Sequence, residues 1–241
     1  QAPIIAFLLS LVTDSGVFEN YDDTKAILFS ISCSCIWLGI LNSIQEICKE
    51  KVILTKEYMA DLKLSAYICS KLVVQSLLAL IQSIILITVY SMFVSLPESS
   101  ISINPYIDFI TVATTTIISS ASLGILISSI VKDANIAMSV APLILVPQLL
   151  FSGMLFPLKE LSEFISVFVL CRWSVSAIGT SLNLNDLPNK VSIIGMTRDA
   201  EDYFTYTIDH YNEMLLIMVA MSVIMIIASH FILKKQLDNK N

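Results

Sequence analysis

The chain has 241 residues, of which 56% are hydrophobic and only 14% are charged, and its mean hydropathy is +0.79. Soluble domains carry about 25% charged residues, so this composition excludes an ordinary soluble fold and predicts an all-α polytopic membrane protein. The formal net charge of −6 argues against nucleic acid as a partner. Because the sequence begins at Gln1 and not at Met, we expect a longer polypeptide whose first apolar segment is cut short here.

Six apolar segments are predicted to cross the membrane, since a crossing takes about 20 helical residues. The fourth is rich in small and hydroxyl residues, which let helix backbones approach closely in lipid, so we expect it to pack on a neighbour. The six segments are Ala2–Val12, 26–43, 72–94, 109–131, 136–156 and 214–233.

A charged segment, 42–71, separates the second and third spans. Apolar residues recur within it at near-helical spacing, among them Ile44, Ile47 and Ile53. This pattern predicts a short amphipathic helix lying at the membrane interface. A solvated loop is the alternative.

The distribution of basic residues sets the expected orientation, because cytoplasmic loops carry an excess of Lys and Arg. With the charged segment inside, nine basic residues lie inside and five outside, and the C-terminus is cytoplasmic. Asp108 and Glu213 then lie at outer span ends, where we expect both to be solvated. The inner set is Lys49, Lys51, Lys56, Lys63, Lys71, Lys132, Lys234, Lys235 and Lys240, and the outer set is Lys25, Lys159, Arg172, Lys190 and Arg198.

The segment 164–182 resembles a seventh span but has Arg172 at its centre. A charge there costs about 2.5 to 3.5 kcal/mol on insertion scales, and a further crossing would move the C-terminal lysines outside. We therefore predict an extracellular re-entrant segment before the last helix, with a seventh span as the alternative. The polar stretch 183–212 is predicted to be an extracellular loop.

The sequence offers no catalytic or metal site. No glycine is followed by Lys, so there is no phosphate-binding P-loop, and there is no HExxH motif. His210 and His230 fall on opposite sides of the predicted membrane, and the five cysteines are scattered as packing residues. A motor outside this chain would have to supply any ATP hydrolysis. A passive channel or scaffold is the main alternative, while an intramembrane enzyme would need a polar centre that the sequence lacks.

Two features carry a family resemblance. The charged segment contains Glu46, then Glu50-Lys51, then Lys56-Glu57-Tyr58, then Ser65-Ala66-Tyr67 and Lys71. The fifth span closes with Phe151-Ser152-Gly153-Met154-Leu155. Together they resemble the permease domain of ABC-2 type exporters, and specifically the G subfamily of white-type half transporters. The resemblance covers 1–241 as a single transmembrane domain.

The resemblance implies roles for individual residues. A coupling helix would dock on a nucleotide-binding ATPase domain that binds ATP and Mg²⁺, so this chain itself needs no cofactor. A second transmembrane half, identical or not, and membrane lipids would be the other partners, in the cell membrane. The coupling helix would be Lys49, Glu50, Lys51, Val52, Ile53 and Leu54; the polar cluster Glu46 and Lys63; the substrate cavity Ile36, Gly39, Ser43, Val146 and Leu149; and the exit plug Met154 and Leu155.

The resemblance also implies the activity: export of an amphipathic or lipid-like substrate from the cytoplasm, driven by a separate or upstream ATPase domain. For Glu46 and Lys63, the alternative to an ion pair is a lysine that reaches the lipid headgroups beside an unrelated interfacial glutamate.

Overall fold

The computed structural model describes residues 1–14, 16–97, 99–156, 158–188 and 201–239, and within these it contains helices and no strand. Short 3₁₀ helices lie at Val17–Glu19, Cys48–Glu50, Leu184–Asp186 and Asp202–Phe204. The α-helices are α1 Ala2–Val12, α2 Tyr21–Ser43, α3 Lys51–Met59, α4 Leu64–Ser91, α5 Pro105–Ile130, α6 Ala134–Leu150, α7 Glu160–Ser166, α8 Leu170–Ser181 and α9 Ile208–Asp238.

Three helices begin at polar residues whose side chains accept hydrogen bonds from the free N–H groups of the first turn. Asn104 caps α5, Asp133 caps α6 and Thr207 caps α9. Such caps satisfy donors that have no partner inside the helix, which matters most where a helix enters an apolar phase. Pro105 follows the first cap, at a position where its missing N–H costs nothing.

Four helices are long and apolar enough to cross a membrane: α2 with its continuation to Met59, α4, α5 and α9. The chain is therefore an integral membrane protein. α1 and α6 are apolar but have only 11 and 17 residues, so the predicted count of six crossings stays a prediction. Several predicted bounds are wrong. α2 begins at Tyr21 and not at 26, α4 at Leu64 and not at 72, and α9 at Ile208 and not at 214, while α6 ends at Leu150 and not at 156.

The helix α5 lies at the centre and packs against α2, α4, α8 and α9. Its small residues make this possible, as the sequence predicted. A Cβ on Gly39 of α2 would overlap the Ser120 hydroxyl and the Ile117 carbonyl of α5. A Cβ on Gly124 of α5 would overlap the hydroxyl of Ser43. The two backbones therefore touch at two levels along the bundle.

Hydroxyl and amide side chains link the helices inside this core. Ser174 of α8 donates to Ser32 of α2 at 2.9 Å, and Ser222 of α9 donates to Ser119 of α5 at 2.9 Å. In the same way the Nδ2 of Asn42 donates to the Oε1 of Gln82 at 2.9 Å, joining α2 to α4. Inside a membrane no water is present to pair with these polar groups, so the bonds between helices take its place.

The predicted re-entrant segment is a broken helix. α7 and α8 meet at an angle of 82°, and the break lies just before Arg172. The guanidinium of Arg172 donates to the carbonyl of Glu163 at 3.4 Å and to the Ser166 hydroxyl, and it lies 4.8 Å from the ring centroid of Tyr203. Whether the pair crosses the membrane stays a prediction. Of the predicted outer loop 183–212, residues 189–200 lie outside the described residues.

One prediction about the outer span ends is wrong. Asp108 is buried and not solvated. Its Oδ2 accepts hydrogen bonds from the Ser100 hydroxyl at 2.8 Å and from the N–H groups of Ile101 and Ser102 at 3.2 and 3.3 Å. The loop before α5 thus supplies the hydrogen-bond donors for this carboxylate. Glu213 is exposed, as predicted.

Candidate functional site: the charged surface around α3

The segment between α2 and α3 is fixed to the end of α5. The Ser128 hydroxyl accepts hydrogen bonds from the N–H groups of Ile47 and Cys48, at 2.9 and 3.0 Å. The Nζ of Lys51 donates to the carbonyl of Val131 at 3.0 Å. These donors and acceptors lie near the ends of α2 and α5, where backbone groups have no partner inside their own helix. The bonds satisfy those backbone groups and hold α3 in place.

The helix α3 has one buried anchor and an exposed apolar surface. Leu54 is 1% exposed and packs in a small cluster with Ile47, Leu64, Ile68 and Leu233, so α3 contacts the ends of α4 and α9. Val52 and Ile53, by contrast, are 73% and 58% exposed. These two neighbouring apolar side chains make α3 a candidate interaction surface.

The predicted bounds of this helix need correction. The prediction placed 49–54 in one helix, but Lys49 and Glu50 belong to the preceding 3₁₀ helix, and α3 runs from Lys51 to Met59. A short helix is present here, which rules out an unstructured loop for this part of the segment, but its apolar residues do not share one face, because Leu54 is buried while Val52 and Ile53 are exposed. The interfacial position stays a prediction.

A cluster of four polar side chains ties this surface to α4. The Nζ of Lys71 lies 2.8 Å from Glu50 Oε1 and 3.2 Å from Glu46 Oε2. The hydroxyl of Tyr67 donates to Glu50 Oε2 at 2.8 Å. The lysine is the most enclosed of the charged groups, with 17% of its side chain exposed against 34% and 43% for the glutamates. The cluster therefore holds the start of α4 against the end of α2.

Lys63, the predicted partner of Glu46, is not in this cluster. It is the exposed N-cap residue of α4, and in the described part of the chain Glu46 and Glu50 form their ion pairs with Lys71. The spacing of residues in the sequence could have predicted the pairing with Lys71. Glu46 and Glu50 are four residues apart, as are Tyr67 and Lys71, so two such pairs can face each other once the chain turns back.

Three of the predicted cavity residues are wrong. Ile36, Gly39 and Ser43 are buried within this chain, at the contact between α2 and α5. The Ser43 hydroxyl donates to the carbonyl of Gly39 at 2.7 Å. Small residues on this face serve close helix packing, so they cannot line a cavity outside the bundle.

The opposite side of α2 is the exposed one. Trp37 is 43% exposed, and a stripe of partly or fully exposed residues continues along the same face at helical spacing, through Ala26, Ser30, Cys33 and Leu41. In α6, Val146 is 48% exposed and Leu149 is partly exposed, so these two predicted positions do lie at the surface of the chain.

The predicted plug residues lie beside a cavity at the far end of the bundle. Met154 and Leu155 line a space of about 410 Å³ together with Lys25 and Glu201. The Nζ of Lys25 contacts both carboxylate oxygens of Glu201, at 2.8 and 2.9 Å. The preceding Gly153 has a φ of 79°, which the sharp turn after α6 requires.

The polar residues inside the spans have structural partners. Gln75 donates to the carbonyl of Asn42 at 3.4 Å, and Gln148 accepts from the N–H of Cys171 at 3.3 Å. In the described part of the chain, no group of three or more His, Cys, Asp or Glu side chains is arranged to hold a metal ion.

Comparison with known proteins agrees with this architecture. A family model described as "ABC-2 type transporter" matches residues 1–181. The ABC transporter ATP-binding/permease protein Rv1747 of Mycobacterium tuberculosis is 23% identical over 202 residues, which are 82% of this chain. The alignment spans only 23% of the length of that relative.

Proposed function

The chain belongs to the ABC-2 type transporter family, of which it carries the permease domain, and we propose that it is the transmembrane half of an exporter driven by ATP. One observation carries the proposal. The exposed apolar side chains of α3, Val52 and Ile53, lie at the end of the bundle where the charged cluster ties α2 to α4. A partner that binds α3 can therefore act on both helices at once.

We propose that this partner is a nucleotide-binding ATPase domain, either fused to the chain or separate. It would bind the ATP and Mg²⁺, since the sequence has no P-loop of its own. The related M. tuberculosis protein, named as an ATP-binding/permease protein, supports a fused arrangement. The α3 end would then be cytoplasmic, and so would the end of α9, because Tyr58 donates to Asp238 across the same surface at 2.8 Å. The membrane would be the plasma membrane.

A second transmembrane half would complete the transport path. Two copies, or this chain and a related one, would face each other about a two-fold axis. The exposed stripe of α2 that includes Trp37, together with Val146 and Leu149, would line the cavity between them. Met154 and Leu155 would close its outer end. Apolar walls favour an amphipathic or lipid-like substrate, because they impose no desolvation cost on its apolar part. The charged segment and the Phe151-Ser152-Gly153 turn favour the G subfamily.

The proposal is tested by placing an acid on the exposed face of α3. In the full-length protein with its ATPase domain, reconstituted in liposomes, Ile53→Asp should abolish transport-linked ATP hydrolysis while the protein stays folded. Thr55→Asp, on a less exposed side of the same helix, is the matched control for added charge. If Ile53→Asp leaves substrate movement unchanged and independent of ATP, the chain is a passive channel or scaffold.

A further inference from the structure

The faces of α4 and α9 are the most exposed among the long helices. In the most apolar stretch of each, only 28% and 17% of the residues are buried, whereas the figure is 61% for both α2 and α5. In an integral membrane protein, an apolar face that the chain leaves uncovered is suited to contact with lipid, and α4 and α9 have the largest such faces among the long helices. These two helices meet near the α3 end, where Leu64, Ile68 and Leu233 pack together.

A groove of about 280 Å³ runs between them on that side. Its walls are almost wholly apolar and come from the first turns of α4 and the last turns of α9. They consist of Ser65, Ile68, Cys69, Ile226, Ile227, His230 and Phe231. A groove of this shape and chemistry fits a hydrocarbon chain.

The side chain of His230 is a polar part of the groove wall. Its Nδ1 makes no hydrogen bond within the described chain, although the atom itself is buried. A buried polar atom without a partner is costly, and native proteins almost always satisfy it. An occupant with a polar group at the depth of His230 would give the imidazole this partner once the ring turns toward it.

Two exposed lysines adjoin the lining residues of the groove along α4 and α9. Lys234 is exposed one helical turn beyond His230 on the same face of α9, and the exposed Lys63 caps α4 two residues before Ser65. Residues four apart on a helix are neighbours, so Lys234 extends the His230 side of the groove toward the headgroup region. Basic residues between membrane helices on the cytoplasmic side are suited to anionic lipid headgroups.

We propose that this groove binds an anionic phospholipid. One acyl chain lies against Ile68, Ile227 and Phe231, the ester or glycerol oxygens meet the imidazole of His230, and the phosphate lies near Lys63 and Lys234. The site is on the outer surface of the bundle, away from Trp37 and from the plug, so it is separate from the proposed transport path. Lipid binding here does not require export, but the placement of the two lysines on the cytoplasmic side rests on the orientation proposed above.

The test uses the full-length protein in detergent with two defined lipids, dioleoylphosphatidylglycerol and dioleoylphosphatidylcholine. Binding is read by native mass spectrometry and by the lipid-dependent rise in the unfolding temperature. We expect the anionic lipid to bind more tightly. Lys63→Gln and Lys234→Gln should each weaken its binding about fivefold, since one basic residue near a charged headgroup contributes roughly that factor. Neither change should affect the zwitterionic lipid.

Two further variants separate the groove from general surface charge. Lys132→Gln removes an exposed lysine after α5, at the same end of the bundle but outside the groove, and should leave both lipids unaffected. Ile227→Trp fills the groove at a half-exposed position, which a folded protein tolerates, and should abolish retention of both lipids. Equal binding of the two lipids, an equal loss in Lys132→Gln, or retained lipid in Ile227→Trp would each overturn the proposal. Displacement of the bound lipid by glycerol phosphate alone would also overturn the proposal, because the groove would then not recognise the acyl chain.

Discussion

The two ends of the bundle are held together in different ways. At the α3 end, the Lys71 cluster, the bonds to Ser128 and the packing of Leu54 join five helices into one unit. At the opposite end, the ion pair of Lys25 with Glu201 joins positions 176 residues apart, next to the cavity that Met154 and Leu155 line. The links at the α3 end are organised around one short segment, 46–54, whereas the ion pair at the far end joins α2 to the segment before α9.

The largest effect is expected where α2 and α5 touch, because this contact connects the two ends. We predict that Gly39→Ala destabilises the protein by about 2 kcal/mol or more, since the Ile117 carbonyl and the Ala121 N–H are backbone groups that cannot rotate away. In an exposed helix the same change would stabilise by about 1 kcal/mol. Thermal unfolding in detergent measures the difference.

Gly16→Ala is the matched control. A Cβ there would meet only the carboxylate of Glu19, at 3.3 Å, and that flexible side chain can move. Its unfolding temperature should stay within a degree or so of the parent. If Gly39→Ala were equally harmless, the close approach of α2 and α5 would not be what holds the two ends in register.

The second prediction concerns the ion pairs at the α3 end. Lys71→Met leaves Glu46 and Glu50 without their shared cation, and we expect a loss of about 1.5 kcal/mol, which is more than for a single partly exposed ion pair because two carboxylates lose their partner. Lys63→Met, at the exposed N-cap residue of α4, should cost far less. Denaturant unfolding of both variants measures the two losses in stability. Equal losses would support the pairing of Glu46 with Lys63 that the sequence predicted.

These corrections show what a sequence can and cannot predict here. Hydropathy found α2, α5 and α9 because the cost of burying polar groups in lipid is a local property of each segment. It placed the start of α4 too late, at 72, because Tyr67 and Lys71 are polar. Their partners, Glu46 and Glu50, lie in another part of the chain, and only the fold brings them together.

The candidate site shows the same limit. Gly39 and Ser43 were expected to line a cavity, but small residues serve equally well for close packing, and only the fold shows which face of α2 meets α5. Along α3, hydropathy alone does not separate Val52 and Ile53, which are exposed, from Leu54, which is buried, because the three are consecutive apolar residues and only the fold shows which of them contacts the bundle. Lys25 and Glu201 could not be paired from sequence because nothing local links positions so far apart.

The third prediction sharpens the view of the far end. We expect Lys25→Gln and Glu201→Gln each to cost about 1 kcal/mol or less, because both side chains are partly exposed, at 18% and 30%. The double change should cost little more than either single one, which a double-mutant cycle measures. Hydrogen exchange should rise around Asp202–Phe204 and stay unchanged in α3. Strictly additive losses would mean that the ion pair contributes nothing to this end.

The smallest effect is expected at the rim of the α3 end. Tyr58→Phe removes one hydrogen bond, from its hydroxyl to Asp238 Oδ1 at 2.8 Å, in an exposed position where water replaces the lost partner. We predict a loss below about 0.5 kcal/mol, with Asp238→Asn giving the same result. Because Leu54 and the Lys71 cluster still hold α3, its hydrogen exchange should not change. A loss as large as that of Lys71→Met would instead mean that the contact with the end of α9, and not the link between α2 and α4, positions α3.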